Sequence, residues 1–181
     1  MKLIYSFIFF LLSYHLSSQS LVRINEFGNN PGNLKMYLYS PGSLNDSAQT
    51  PLVVVLHGCL QSAGSVAKQT GWNKLADTYG FRVLYPQQRV INNPGKCFCW
   101  YKQSDIEKGK GENYSVLQMI EQVKKNYSID STQIFVTGLS AGAGMSVALM
   151  AGYPETFNAG AVFAGGAYKT ATNLWTSMMT M

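Results

Sequence analysis

The chain has few of the residues that usually carry metal and redox chemistry. Its 181 residues contain three cysteines and two histidines, and only 13% of them are charged. They form no CxxC pair and no cysteine–histidine spacing typical of zinc binding, so we predict neither a metal nor another cofactor. The sequence also has no internal repeat, heptad run or low-complexity tract, which argues against coiled coils and disordered linkers.

The chain also lacks an apolar run long enough to cross a bilayer. Near the N-terminus, Leu3–Leu12 forms an apolar run of ten residues, whereas a membrane-spanning helix needs about 20. Lys2 precedes this run, and small polar residues follow it, with a plausible cleavage point after Ser18 or Ser20. We therefore predict a signal peptide over residues 1–18, secretion, and no stable membrane insertion once this leader is removed.

A strong excess of one charge sign is missing as well. The net charge is +5, and the basic residues are scattered, apart from Lys108, Lys110, Lys124 and Lys125. This distribution indicates a solvated surface, and no nucleic-acid-binding motif accompanies it, so no nucleic-acid partner is predicted. By contrast, 46% of the residues are hydrophobic, which is enough to build a sizeable core.

What the sequence does contain is an alternation of strand and helix patterns. The residues from Pro51 to Leu56 are continuously apolar, which indicates a strand buried on both faces of a parallel sheet. We predict an irregular stretch at 87–111, helices at 65–79, 114–127 and 141–152, and strands at 21–27, 35–39, 51–57, 81–85, 133–137 and 161–163. This order predicts one α/β domain over residues 21–181, with a mostly parallel sheet and flanking helices.

A G-x-S-x-G motif follows one of the predicted strands and opens a predicted helix. It places Ser140 between Gly138 and Gly142, and the strand–turn–helix context is that of a nucleophile elbow. The turn is so tight that the glycine positions cannot carry side chains. We therefore predict Ser140 as a catalytic nucleophile beside the unpaired N–H groups of a helix N-terminus.

A second short motif, His57-Gly58-Cys59, ends another predicted strand. An N–H from the loop after such a strand completes an oxyanion hole together with the N–H after the nucleophile, so we predict Cys59 and Ala141 as the two donors. His57 is expected to fix this loop rather than act as a general base. Among the cysteines, Cys97 and Cys99 are too close in sequence to pair with each other, so Cys59 is predicted to bond to one of them.

Five segments in a fixed order resemble the esterase family of poly(3-hydroxybutyrate) depolymerases, which is related to feruloyl and acetylxylan esterases. They are HGCLQ, CFCWY, SDIEKGKGEN, IFVTGLSAGAGMS and YPETF, and the similarity runs from about Leu34 to Tyr168. The resemblance implies an α/β-hydrolase fold and a secreted carboxylic ester hydrolase. Its partner would be a polymeric or oligomeric ester, either a polyester or an acylated polysaccharide.

The resemblance also implies roles for individual residues. Ser140 would be the nucleophile, Cys59 and Ala141 the oxyanion donors, and Cys97 the disulfide partner of Cys59. The pair Trp100-Tyr101 would lie near the substrate cleft, although ordinary core packing explains it equally well. Residues 104–105 and 109–112 would position their loop and cap the following helix.

Part of the expected triad is missing from the sequence. In this fold the nucleophile is followed by an acid and then by a histidine, but no Asp and no His follow Ser140, and Glu155 lies in a predicted surface turn. We therefore expect that the domain is incomplete and that its C-terminal strands are absent. Two alternatives to an esterase stay open, a serine peptidase of the same fold and a catalytically inactive remnant.

Overall fold

A computed structural model describes residues 20–180, so the signal peptide predicted at 1–18 lies outside the described residues. The chain forms one sheet with helices on both faces. The strands are β1 (Val22–Ile24), β2 (Lys35–Tyr39), β3 (Thr50–Leu56), β4 (Arg82–Gln87), β5 (Ile129–Leu139) and β6 (Ala159–Phe163). The helices are α1 (Ala63–Gln69), α2 (Trp72–Tyr79), α3 (Gln103–Ile106), α4 (Gly111–Asn126), α5 (Ala141–Gly152) and α6 (Leu174–Met179).

The sheet is mixed but mostly parallel, as the sequence predicts. Its strand order is β1-β2-β4-β3-β5-β6. The pairs β4–β3, β3–β5 and β5–β6 are parallel, whereas β1 and β2 are antiparallel to their neighbours. Leu56 at the end of β3 pairs with Gly138 near the end of β5. The segments that follow these two strands therefore emerge at the same edge of the sheet, which is where an α/β sheet usually carries its site.

Strand β3 lies at the centre of the core. Its residues alternate between two hydrophobic clusters: Leu52, Val54 and Leu56 pack under α4 and α5, and Val53 and Val55 pack under α1 and α2. Both faces are covered, which accounts for the uninterrupted apolar run in the sequence. Strand β6 differs, because all five of its residues are exposed.

The structure corrects several of the predicted elements. The strand predicted at 21–27 is only Val22–Ile24, and the one predicted at 133–137 extends over Ile129–Leu139. The single helix predicted at 65–79 is two helices, because Gly71 adopts a left-handed φ of 73° between α1 and α2. The stretch predicted as irregular contains the short helix α3, and α4 begins at Gly111 rather than at residue 114. Helix α6, which the sequence analysis missed, begins with a capping box between Asn173 and Thr176. Within residues 20–180 no helix is long and apolar enough to span a membrane.

Candidate active site

Ser140 lies at a sharp turn between β5 and α5. Its backbone has φ 55° and ψ −122°, a left-handed conformation that non-glycine residues rarely adopt. Such a residue persists only where its surroundings hold it in place, and it is common at functional sites. The Ser140 N–H donates to the carbonyl of Phe163 at 2.9 Å, which ties the turn to β6.

The two glycines of the motif are required by close backbone contacts. A Cβ on Gly138 would lie 2.3 Å from the Gly142 carbonyl oxygen. A Cβ on Gly142 would lie 2.4 Å from the carbonyl oxygen of Leu56. Both distances are far below any real contact, so α5 and the end of β3 can approach the turn only because side chains are absent. The geometry is that of a nucleophile elbow.

Ala141 is the first residue of α5 and is buried. The first N–H groups of a helix have no acceptor within the helix. The Ala141 N–H therefore lies next to the Ser140 side chain at the positive end of the helix dipole. This is the position expected of a donor to an oxyanion, and its role as such remains a prediction.

His57 is held by hydrogen bonds at both ring nitrogens. Its Nδ1 lies 2.7 Å from the Gly58 carbonyl oxygen, and the backbone N–H of Gln88 donates to its Nε2 at 3.0 Å. A carbonyl can only accept and an N–H can only donate, so the neutral ring carries its proton on Nδ1. Burial lowers the pKa of His57 to about 4, and nearby Lys96 adds to this shift. The ring therefore anchors the loop and has no nitrogen left to take a proton.

The loop after β3 lies directly against the elbow. A Cβ on Gly58 would lie 3.3 Å from the Leu139 carbonyl oxygen and 3.5 Å from the Ser140 Cβ. The next residue, Cys59, forms a disulfide with Cys97. The residues alone left both Cys97 and Cys99 open as its partner, and the structure shows the bond to Cys97. Cys99 is a buried thiol, and burial raises its pKa to about 12, which makes it unreactive.

A cavity of about 190 Å³ opens beside Ser140. Trp100 forms one wall, and its ring fits against two glycines: a Cβ on Gly144 or on Gly166 would lie 2.5 Å or 2.3 Å from it. Trp100 is thus both buried and part of the cavity, and the same holds for its neighbour Tyr101. The lining residues are Cys59, Cys97, Phe98, Trp100, Tyr101, Ser140, Ala141, Leu174 and Ser177.

Three of these lining residues, Phe98, Leu174 and Ser177, were missed by the sequence analysis. The last two belong to α6, whose start is signalled by Asn173 and Thr176 at the spacing of a capping box. Two larger grooves, of about 480 and 400 Å³, lie along the β5 and β6 side of the sheet and are mainly apolar. Ser140 lines neither of them, so we assign the chemistry to the smaller cavity.

One group of side chains in the described part of the chain has the composition of a metal site. The ligand atoms of Cys99, Asp105 and Glu112 lie within 4.8 Å of one another. Both Glu112 carboxylate oxygens, however, already accept hydrogen bonds, from the Gln88 side chain at 2.5 Å and from the Cys99 N–H at 2.8 Å. Since the Cys99 thiol also resists ionisation, we interpret the group as a buried hydrogen-bonded network rather than a cation site.

Glu155 is exposed and lies in an ion pair with Lys108 at 2.6 Å. Its hydrogen bond from Lys108 lowers its pKa. It is the only carboxylate that follows Ser140, and it contacts a surface lysine rather than an imidazole. The structure thus gives Glu155 no part in the cavity.

A nucleophile elbow at the edge of a mostly parallel sheet with flanking helices defines an α/β-hydrolase. A solved acetyl xylan esterase from Aspergillus awamori shares this fold with a TM-score of 0.79 and 31% sequence identity, over 87% of this chain and 56% of that chain. A family model described as esterase PHB depolymerase matches residues 34–181. The chain therefore belongs to the esterase PHB depolymerase family.

Curated relatives have the names that this family suggests. The chain is 44% identical to poly(3-hydroxyalkanoate) depolymerase C of Paucimonas lemoignei over 165 residues, which cover 91% of this chain and 39% of the relative. It is 36% identical to acetylxylan esterase A of Aspergillus oryzae over 149 residues, covering 81% and 46%. The chain thus spans less than half the length of these two relatives.

Proposed function

We propose that this chain carries the nucleophile and the oxyanion hole of a secreted carboxylic ester hydrolase. The observation that carries the proposal is the elbow itself, in which Ser140 takes a left-handed backbone conformation between β5 and the N-terminus of α5. In the proposed reaction the Ser140 Oγ attacks the ester carbonyl, and the Cys59 and Ala141 N–H groups stabilise the oxyanion. The C–O bond to the alcohol breaks, the alcohol leaves with a proton, and water then hydrolyses the acyl-enzyme.

The reaction also needs a group that accepts the Ser140 proton. Within residues 20–180 the only imidazole is that of His57, and both of its nitrogens are engaged with backbone groups. Glu155, the only acid after Ser140, is paired with Lys108 at the surface. The proposal therefore assigns the base to neither of these groups, and the described residues supply the nucleophile and the two oxyanion donors.

The substrate we propose is a polymeric or oligomeric ester, either a polyhydroxyalkanoate or an acylated polysaccharide. The depolymerase and acetylxylan esterase relatives support this class by name. The cavity beside Ser140, at about 190 Å³, is small for a binding pocket of the usual 300–1,000 Å³. It would suit the short acyl part of such an ester, while the polymer lies outside.

Secretion is also proposed. It is supported by the predicted leader and by the disulfide between Cys59 and Cys97, because disulfides persist mainly in oxidising compartments. Expression in a bacterial host, followed by mass analysis of the exported chain, would check it. We expect a mature N-terminus just after Ser18 or Ser20; a chain retained in the cytoplasm at full length would contradict this part of the proposal.

The catalytic role is tested with a fluorophosphonate probe on the 181-residue chain. The Ser140 oxygen displaces fluoride from phosphorus, so a stable adduct marks an activated serine. We expect slow labelling of the unmodified chain, because the oxyanion donors act there without an identified base. Ser131→Ala, which changes an exposed serine on β5 outside the site, should label at the same rate, and Ser140→Ala should not label. Absence of an adduct on the unmodified chain would instead support a catalytically inactive remnant.

Substrate class is then measured on chains that label. We compare release of acetate from acetylated xylan, release of hydroxybutyrate from its oligomers, and cleavage of a peptide library. Hydrolysis of either ester without peptide cleavage is expected. Peptide cleavage in preference to the esters would favour the serine peptidase alternative.

A further inference from the structure

We propose that Gln88 and Glu112 are positioning residues for the loop of His57, Gly58 and Cys59, which we call the oxyanion loop. They hold this loop through a buried chain of hydrogen bonds that reaches the Cys59 peptide. Gln88 directly follows β4, and Glu112 lies in the first turn of α4, so neither belongs to the elbow or to the loop itself. The inference rests on the proposed function in one respect, since the N–H that the chain orients is the proposed oxyanion donor of Cys59.

Gln88 is the centre of this chain. It is completely buried, and its backbone N–H donates to His57 Nε2 at 3.0 Å. Its side-chain Nε2 donates to Glu112 Oε1 at 2.5 Å and to the Cys97 carbonyl at 3.3 Å. Its Oε1 accepts from the Arg89 N–H at 2.9 Å and from Asn92 Nδ2 at 2.6 Å. With two donor hydrogens and two acceptor positions all used, the amide can adopt only one orientation.

Glu112 connects Gln88 to the wall of the cavity. Its side chain is buried, one oxygen accepts from Gln88, and the other accepts from the Cys99 N–H at 2.8 Å. A buried carboxyl group is costly unless hydrogen bonds compensate. Here the bonds join two segments, the residue after β4 and the irregular loop that carries Trp100. An apolar side chain at this buried position would cost less free energy of desolvation. A role in fixing the two segments accounts for the carboxyl group that is found there instead.

Two routes from Gln88 converge on Cys59. In the first, the Gln88 N–H fixes the His57 ring, and His57 Nδ1 holds the Gly58 carbonyl oxygen at 2.7 Å. Because a trans peptide is planar, holding that oxygen on one side directs the Cys59 N–H to the other. In the second, the Gln88 side chain holds the Cys97 carbonyl, and Cys97 is bonded to Cys59 through the disulfide.

The consequence is a pre-organised donor. An oxyanion donor is effective only if it is already in place when charge develops, and its complete loss costs about 10²- to 10³-fold in rate. A donor that is loosened rather than lost should cost less, on the order of tenfold. The loss should appear in the rate of the chemical step more than in substrate affinity, because the Cys59 N–H binds charge that exists only in the transition state.

The test compares two glutamates of the same helix. Glu112→Gln keeps the shape but can accept from only one of its two donors, Gln88 Nε2 and Cys99 N–H, whereas Glu121→Gln changes an exposed residue paired with Lys124. We expect Glu112→Gln to slow fluorophosphonate labelling of Ser140 about tenfold and Glu121→Gln to leave it unchanged. Equal rates in both variants, with both folded by circular dichroism, would overturn the inference.

A reciprocal exchange separates positioning from a general structural effect. In the double variant Gln88→Glu with Glu112→Gln, the new amide can again donate to the new carboxylate and accept from Cys99, whereas the Cys97 carbonyl loses its donor. The exchange therefore restores the link between residues 88 and 112 but not the route through Cys97, and labelling should stay slower than in the unmodified chain. We expect this double variant to label faster than Glu112→Gln alone. A purely structural role for each residue predicts instead that the two changes add, and slower labelling of the double variant would count against our proposal.

A nuclear magnetic resonance measurement tests the hydrogen-bond chain without any need for activity. With His15→Gln, His57 is the only histidine in the chain, and its two ring nitrogens can be observed by 15N labelling. We expect a proton on Nδ1, none on Nε2, and a perturbed Nε2 signal in Glu112→Gln. A protonated Nε2 in the otherwise unmodified chain would refute the inference. If the His57 signals are as expected but Ser140 does not react with the fluorophosphonate, only the proposed function is refuted.

Discussion

The two flanks of Ser140 differ in almost every physical respect. On one flank, His57 is buried and hydrogen-bonded to Gln88, and the partly buried Cys59 is disulfide-bonded to Cys97. On the other flank, β6 contacts the elbow through the Ser140 N–H to Phe163 bond, yet all of its residues are exposed. We call these the locked flank and the open flank. The locked flank therefore makes buried side-chain contacts beside the elbow, whereas the open flank contributes a backbone hydrogen bond from an exposed strand.

The open flank is apolar as well as exposed. Leu139 is 43% exposed and Phe163 is 59% exposed, and both line the groove of about 400 Å³ beside the elbow. The hydrogen bond from the Ser140 N–H places the turn relative to β6. In the described part of the chain, however, β6 has no buried side-chain network like the one around Gln88. The locked flank should therefore be sensitive to single substitutions, and the open flank should tolerate them.

The largest effect should come from the disulfide of the locked flank. Cys59 and Cys97 are 38 residues apart, and closing a loop of this length stabilises a folded chain by about 4 kcal/mol. We expect Cys97→Ala to lower the free energy of unfolding by an amount approaching this. Cys99→Ala, which removes the buried thiol and leaves the disulfide intact, should cost about 1 kcal/mol. Urea denaturation of both variants measures the difference, and equal losses would contradict it.

A second prediction concerns Gly142, the glycine at which the end of β3, on the locked flank, meets the elbow. Gly142→Ala places a Cβ about 2.4 Å from the Leu56 carbonyl oxygen. The clash is with backbone, so we expect a loss of about 3 kcal/mol together with loss of fluorophosphonate labelling. Gly64→Ala in α1 is the matched control, since nothing lies within 4 Å of its added Cβ. This control should be neutral or stabilising by up to about 1 kcal/mol; a destabilised control would undermine the comparison.

A third prediction concerns pH. Burial is the main cause that raises the pKa of Glu112 from its ordinary 4.5 to about 7, and Asp105 adds to it. Between these values the folded chain keeps a proton that the unfolded chain has released, so this group's contribution to stability falls as pH rises from about 4.5 to about 7 and is flat above. The full difference corresponds to about 3 kcal/mol, at 1.4 kcal/mol for each pKa unit.

His57 opposes this trend in the unmodified chain. Its pKa is lowered from 6.5 to about 4, so its contribution to stability rises with pH across that interval. The prediction therefore compares the free energies of unfolding of two chains. The amount by which the unmodified chain is more stable than Glu112→Gln should shrink by about 3 kcal/mol between pH 4.5 and pH 7. Denaturation of both chains at several pH values measures it. A difference that is constant with pH would show that Glu112 does not titrate in this range.

The smallest effect should be found on the open flank. Val162→Ala in β6 truncates a side chain that is 40% exposed, and we expect a change below about 0.5 kcal/mol. Val54→Ala in β3 makes the same truncation at a completely buried position and should cost about 2 kcal/mol. Thermal unfolding of the pair measures the contrast. Similar costs would mean that β6 is covered in solution and that the open flank is not open.

Local patterns in the sequence determined the strands, most helices and the elbow. The apolar run of β3 and the spacing Gly138-Leu139-Ser140-Ala141-Gly142 are short-range features, and each is dictated by neighbours a few residues away. The position of Ser140 at a strand–helix turn could therefore be predicted. The split at Gly71 could not, because a glycine inside an apolar helical pattern is compatible with one helix or with two.

Only the tertiary structure decided which groups meet around that serine. It joined Cys59 to Cys97 rather than Cys99, brought α6 against the cavity, and placed Gln88 between His57 and Glu112, which are 31 and 24 residues away from it. Each of these contacts depends on the crossover geometry of the sheet, and the periodicity of a single segment contains no information about it. The sequence by itself thus determined the fold class and the place of Ser140 at the elbow, whereas the packing of distant segments determined what holds the loop of His57 and Cys59.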